Sequence, residues 1–275
     1  MGEPVAAVRP VKMGGATIAG TVRFTGRDSM GQGNASVRLS PAGPGAGIWF
    51  NGDVRATLAG ASVIGHTTCL GRGNRRVRMV EHLLAACYGL GVTDLAVETR
   101  GAGLPIGDGS AVPYVRLLTK AGIVHYKEGP EPARLKRPVL VRQGLRFIAA
   151  VPANGLAINC LTRFDEFGTQ FGALAVTPAS FQRALARART LARTGMSPAA
   201  FGKKHGLRFR LQRVGRFVCA ERWRFRDEPC RHKALDLLGD LALLGRPLDA
   251  AVFAYMPGHR LNIAFARKVE RELEA

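Results

Sequence analysis

The sequence predicts an α+β fold made of two halves of like plan, with helices packed on sheets, and three observations predict it. Strand-like stretches followed by helical periodicity occur twice along the 275 residues. A polar, proline-rich segment, Lys127-Glu128-Gly129-Pro130-Glu131-Pro132, separates the two occurrences and reads as a linker. Hydrophobic residues make up 47%, which allows a substantial core and argues against wholesale disorder. The halves are drawn as residues 1–128, with Glu81-His82, and 129–275, with His232, Asp236 and His259.

The first half offers strands at 16–24, 35–40 and 47–50 with glycine-rich turns between them. Helical spacing follows at 79–90, where Leu83, Leu84, Cys87 and Leu90 share a side. A strand at 95–98 leads to the turn Gly107-Asp108-Gly109. Ser110 is a natural N-cap for a helix over 111–121, with Pro113 in its first turn. The second half restarts with strands at 139–141, 145–151 and 156–163. Phe181, Leu185 and Ala188 recur at helical spacing and predict a helix over 178–192. Residues 207–211 alternate strictly, as a strand with one apolar and one cationic face does. A helix from about 229 to 244 stops at Gly245, with Pro247 beyond it. Closing strands are expected at 252–255 and 261–264, with His259 in the turn between them.

Composition narrows the function classes. The opening Met1-Gly2-Glu3-Pro4 lacks a basic stretch followed by an apolar run, so no secretory signal is expected. No apolar run reaches the ~18 residues of a membrane span. Cys69, Cys87, Cys160, Cys219 and Cys230 are odd in number and lack CxxC spacing, which fits a reduced, cytoplasmic protein. Forty basic residues stand against 20 acidic ones, a formal +20, and such a field attracts polyanions. Thirty-two of the forty are arginine, a bias that base composition alone also produces. Aromatic residues are only 7% and are not interleaved with the basic ones, so nucleic acid is not the expected partner.

The chemistry concentrates in Arg231-His232-Lys233-Ala234-Leu235-Asp236-Leu237-Leu238-Gly239-Asp240. His232, Asp236 and Asp240 fall on one helical stripe. A nitrogen and a carboxylate one turn apart make half a metal site, and Glu81-His82 can complete it with an imidazole and a general base. By spacing alone, His232 and Asp236 read equally as a solvated pair on an amphipathic helix, and Glu81-His82 as an ordinary helix start. His259, in Pro257-Gly258-His259-Arg260-Leu261-Asn262, carries little by itself.

Taken together, four ordered segments closely resemble the zinc-dependent UDP-3-O-acyl-N-acetylglucosamine deacetylase (LpxC) family of lipid A biosynthesis. They are Met79-Val80-Glu81-His82-Leu83-Leu84-Ala85-Ala86, Leu104-Pro105-Ile106-Gly107-Asp108-Gly109-Ser110-Ala111, Arg231-His232-Lys233-Ala234-Leu235-Asp236 and Gly258-His259-Arg260-Leu261-Asn262. The likeness spans roughly Gly20 to Leu261. It implies helices sandwiched between two β-sheets, and Zn2+ held by His82, His232 and Asp236. It also implies Glu81 as the base toward water, His259 as the acid kept protonated by Asp240, and Thr190 as a holder of the oxyanion. Lys233 is implied to reach the UDP-linked acylated amino sugar. An insert near residues 191–218 is implied to house the acyl chain, with Leu207, Phe209 and Leu211 lining it while Arg208 and Arg210 point away.

The stretch from Arg183 to Lys233 carries fifteen basic residues against three acidic ones, a surface for UDP or for peripheral contact with an anionic membrane, or simply a solvated basic face. Two departures fall where substrate is positioned. Ser29-Met30-Gly31-Gln32-Gly33 stands where the family usually has a Gly-Leu-His-Thr-Gly turn. Gln212-Arg213-Val214-Gly215-Arg216-Phe217 replaces a small-residue and asparagine segment. They keep open a metal-dependent deacetylase acting on a different N-acetyl sugar, while the basic surface keeps open a non-catalytic binding protein, against which the intact Glu81, His82, His232, Asp236 and His259 argue. Oligomeric state is not legible.

Overall fold

In a computed structural model, residues 14–274 are described, and the opening Met1-Gly2-Glu3-Pro4 lies outside them. The first half forms β1 (Val22–Arg27), β2 (Asn34–Pro41), β3 (Ile48–Phe50), β4 (Val54–Arg55), α1 (Glu81–Leu90), β5 (Leu95–Arg100) and α2 (Val112–Ala121). The second forms β6 (Val139–Gln143), β7 (Arg146–Pro152), β8 (Leu156–Phe164), β9 (Gly168–Ala175), α3 (Pro198–His205), α4 (Glu228–Leu241), β10 (Leu248–Tyr255) and α5 (His259–Glu274).

The two main sheets have the same wiring. Their strand orders are β1-β2-β5-β3-β4 and β6-β7-β10-β8-β9, with a short strand Ala133–Arg134 added alongside β10. In each, the last strand enters the middle, antiparallel to the first hairpin and parallel to the opening strand of the second. Helices fill the space between. α2 packs on β1, α4 on β8 and β9, and α5 on β6 and β7, while α1 packs on α2 and α4. Val37, Leu39 and Val97 from one sheet and Ile148, Ile158 and Val252 from the other join a single hydrophobic core with these helices. The fold is the α+β arrangement with helices sandwiched between two sheets.

Helix α1 is apolar almost all round, and every residue but Tyr88 is buried, as a helix between two layers requires. Gly91, at φ 75°, closes it in the left-handed conformation. On α4, Pro229 stands in the first turn, and a short 3-10 extension ends at Gly245 with φ 70°.

Several expectations are corrected. The strand over 16–24 breaks at Ala19–Gly20, whose N–H groups bond to Gly122 and Ala121, leaving Ala16–Ile18 and β1. Ser110 lies one position before the cap residue Ala111, though its hydroxyl accepts the Val112 N–H at 3.2 Å. The helix over 178–192 ends after one π-turn, Phe181–Leu185, because Arg189 leaves the helical path to bond Glu228. Residues 207–210 are irregular and only Leu211–Val214 is a strand, although burial still alternates along them. The segment 261–264 belongs to α5, not to a strand, and His259 opens that helix. Leu261, Asn262, Phe265, Ala266 and Val269 are buried at helical spacing, which a four-residue window hides. Strand β9 has no counterpart in the expectations, since Gln170 and Gly172 face inward while Phe171 faces out, which breaks the in–out pattern.

Candidate metal centre and active site

The site lies where α1, α4 and α5 meet. Close approach of α1 and α4 depends on Gly239, because a methyl group there would overlap the backbone carbonyl of Glu81. The start of α1 is held by a hook: the Thr68 carbonyl accepts the N–H groups of Met79 (2.9 Å) and Val80 (3.4 Å). Met79 takes φ 60°, a left-handed turn that aims the helix inward.

Three donors converge. His82 Nε2 lies 3.7 Å and His232 Nε2 3.3 Å from Asp236 Oδ1, and the ligand atoms all fall within 4.8 Å of one another. All three residues are buried. His232 directs Nδ1 at the Ala188 carbonyl, 3.0 Å away, so the Nδ1–H donates to that carbonyl and Nε2 presents its lone pair to the centre. Burial, with help from the neighbouring His82 and Lys233 charges, lowers the His232 pKa to about 4 against the pull of Asp236. The ring is therefore neutral, as a ligand must be. Burial pushes Asp236 upward, but its neighbours His232, Lys233 and His259 outweigh it and hold the carboxyl well below its ordinary range. Two imidazoles and one carboxylate are the donor set of a catalytic zinc or iron site with room for a further ligand.

Glu81 and the His259–Asp240 pair flank these donors. Glu81 accepts from Thr67 Oγ1 at 2.8 Å and from the Thr68 N–H at 3.2 Å, which fixes both of its oxygens. Burial, above all, raises its pKa despite the opposing His259 and His82 charges. His259 Nδ1 lies 2.8 Å from Asp240 Oδ2, while Nε2 faces Glu81 Oε1 at 3.7 Å and Asp236 Oδ2 at 3.8 Å. Burial opposes the imidazolium. The Asp240, Glu81 and Asp236 carboxylates together overcome it and raise the His259 pKa to about 9. Asp240 is itself held by Thr68 Oγ1 (2.6 Å) and Asn262 Nδ2 (2.8 Å). One ring thus stays cationic beside a carboxylate that favours its proton, the pairing acid–base chemistry needs.

The remaining expected residues sit differently. Lys233 donates to Asp236 Oδ2 at 2.6 Å, with its side chain partly exposed. Thr190 bonds Gly109 through its N–H (2.8 Å), and its hydroxyl points to the Leu191 carbonyl. It joins the centre through the turn that also carries Ala188. That turn is clamped by Arg189, which donates to Glu228 through Nε at 2.9 Å and Nη2 at 3.1 Å. Phe209 lies under the Arg189 guanidinium, 4.9 Å from ring centre to Cζ. Leu211 reaches over Gly202 of α3, and Leu207 bonds the Gly202 carbonyl through its N–H. These three apolar residues belong to the insert and make no bond to the metal-site residues.

Thr67, Thr68 and the Ala188 carbonyl escape a reading of the sequence. A threonine pair in a short strand has no signature, and a backbone carbonyl has none at all. Asn262 stands within a recognised segment, and its role emerges only from α5 turning it toward Asp240.

Comparison with known proteins finds likeness over most of the chain. The sequence profile of one family, UDP-3-O-acyl N-acetylglycosamine deacetylase, matches residues 15–271. The UDP-3-O-acyl-N-acetylglucosamine deacetylase of Chlamydia pneumoniae is 33% identical over 276 residues, covering 94% of this chain and 97% of that protein. The protein of that name from Anaeromyxobacter sp. (strain Fw109-5) is 35% identical over 266 residues, covering 92% and 87%. That from Chlamydia felis is 33% identical over 265 residues, covering 88% and 91%.

Proposed function

The chain belongs to the UDP-3-O-acyl N-acetylglycosamine deacetylase (LpxC) family, and from that premise we propose that it hydrolyses the N-acetyl group of UDP-3-O-acyl-N-acetylglucosamine with zinc as its metal. The observation that carries this reading is the convergence of His82, His232 and Asp236 beside Glu81 and the His259–Asp240 pair. Under this reading the work is cytoplasmic, as a step of lipid A biosynthesis.

Zinc held by His82, His232 and Asp236 would supply Lewis acidity, polarising the amide carbonyl and acidifying water to a pKa of roughly 7. Glu81 Oε1 would take a proton from the attacking water. The His259 imidazolium stabilises the developing oxyanion and delivers its Nε2 proton to the leaving nitrogen as the C–N bond breaks. Acetate and the free amine result. Glu81 Oε1 and His259 Nε2 lie 3.7 Å apart, so the proton on Glu81 would return to the ring through one bridging water and reset the pair. Thr190 would help to hold the oxyanion, and Lys233 would reach the substrate from the rim. Leu207, Phe209 and Leu211 would line the path of the acyl chain.

The test is acetate release from UDP-3-O-acyl-N-acetylglucosamine by protein stripped of metal and then given one equivalent of zinc. Zinc-restored release is the expected result. Turnover that ignores metal removal would reject zinc. Tight zinc binding without turnover would favour the second reading, a different N-acetyl sugar, which the departure at Ser29–Gly33 motivates.

A further inference from the structure

Among the described residues, the large apolar side chains left exposed are Val124 and six others, Leu140, Leu145, Phe147, Val151, Phe171 and Phe253. All six lie on the second sheet or its hairpin tip. Registry puts the five that lie on strands on one face, with Leu145 at the hairpin tip. Phe147 pairs with Tyr255, which pairs with Leu161, which pairs with Phe171. The next row runs from Leu140 through Ala149 and Phe253 to Asn159 and Ala173. The intervening residues, such as Ile148 and Val252, enter the core, so this apolar lattice is the sheet's outer face. Leu140 and Phe171 are each 61% exposed, and Leu145 is 80%.

The first sheet supplies an internal control. With the same wiring, its outer face carries Arg23, Arg38, Glu98 and Arg100 in adjacent rows. An open outer sheet in this fold therefore does not need apolar residues, and the second sheet's face asks for a partner.

Charge chooses the partner. Arg142 pairs with Phe147 across the first row, and Arg163 stands two residues beyond Leu161 on the same face. The carboxylate of matching parity, Asp249 at the opposite end, is bonded by Arg134 and the Gly155 N–H. Asp165, in the turn two residues past Arg163, is paired with Arg216 at 3.5 Å, so apposing two copies would set these arginines against one another with only that turn carboxylate nearby. Phenylalanine and leucine inside a margin of arginine are what an anionic lipid surface takes up, with the apolar groups below the headgroups and the guanidinium groups at the phosphates.

We propose that the outer face of the second sheet docks on an anionic lipid bilayer. The inference stands on this face and is independent of the proposed reaction. It also moves the membrane contact away from the arginine-rich stretch between residues 183 and 233. There Arg189, Arg216, Arg224 and Arg231 are already engaged by Glu228, Asp165 and Glu166, Asp108 and Asp227.

The experiment is cosedimentation of the full chain with phosphatidylglycerol–phosphatidylcholine vesicles and with phosphatidylcholine vesicles. The variants are the pairs Phe171→Ser/Phe253→Ser and Arg142→Ser/Arg163→Ser, with Arg38→Ser/Arg100→Ser as a control of equal charge change. Wild type should prefer the anionic vesicles. The phenylalanine pair should weaken partitioning by about tenfold or more, and the arginine pair several-fold more than the control. If the double phenylalanine variant misfolds, Phe171→Ser alone serves, with a loss of at least about threefold expected. Binding unchanged by the phenylalanine substitutions would overturn the proposal and leave only net charge. Absence of vesicle binding, or a dimer in sedimentation that these substitutions dissolve, would overturn it as well.

Discussion

Each ring nitrogen of His259 meets a different carboxylate: Nδ1 is bonded to Asp240, and Nε2 faces Glu81. The acid, the base and the ligands are therefore separable by substitution. His232→Ala should lose zinc and turnover together, because two protein ligands remain where three are needed; full zinc content on metal analysis would remove His232 from the ligand set. Glu81→Ala should keep its metal and lose turnover by about 10²–10⁴-fold. Rates near wild type in the acetate assay would send the proton elsewhere. Asp108 tests the support of the turn carrying Ala188. It accepts from Arg224 Nη2 at 2.7 Å, and Arg224 Nη1 donates to the Arg187 carbonyl. Burial raises the Asp108 pKa, but the Ser110 hydroxyl and the Arg224 charge outweigh it and the net direction is down. A carboxyl with its folded pKa below the unfolded value of about 3.9 adds stability above that pH, and loses it as pH falls through the folded pKa. Asp108→Asn should thus cost about 1–3 kcal/mol in urea unfolding at pH 7, with the gap to wild type closing in increasingly acid solution. A gap that is constant with pH would remove the charge from the account.

Gly239 sets how closely α1 and α4 can lie, and so whether His82 can share a centre with His232 and Asp236. Gly239→Ala should separate the helices, destabilise the protein by about 1–3 kcal/mol or more and weaken zinc binding in a chelator competition. A variant with wild-type melting and zinc affinity would show that the seam can open at no cost. The sequence displays elements unevenly for a physical reason. Both α1 and α4 were legible because each keeps a helical period over ten residues or more and ends at a left-handed glycine. α5 was misread because a strand was inferred from 261–264, inside a helix whose buried positions run on to Val269. β9 is hidden because polar Gln170 and Gly172 face inward while Phe171 faces out. The candidate site is legible as four ordered segments that carry the family resemblance, whereas spacing alone leaves His232 and Asp236 open between a metal pair and a solvated pair. Its support, from Thr67, Thr68 and the Ala188 carbonyl, depends on folding alone.

The centre spans the seam between two like-wired halves, and this gives the whole molecule a testable logic. We take residues 1–128 and 129–275 as those halves. His82 and Glu81 come from the first, and His232, Asp236, Asp240 and His259 come from the second. Thr68 crosses the seam to bond Asp240, and Tyr88 crosses it to accept the Leu248 N–H at 2.8 Å. Neither half can close the metal site alone, and each would expose the apolar faces of α1 or α4. Produced separately, the 129–275 fragment keeps two ligands and should bind zinc more than about 10²-fold more weakly than the intact chain, beyond the ~10–100-fold that losing an outer partner costs. Produced together, the fragments should reassociate through the buried α1–α4 contact, because the connection between them is a polar segment, not a core element. Zinc affinity by chelator competition and acetate release, measured on the copurified pair, should then return together. A fragment 129–275 that binds zinc as tightly as the intact chain would place the whole ligand set in one half and end the case for a site built across the seam.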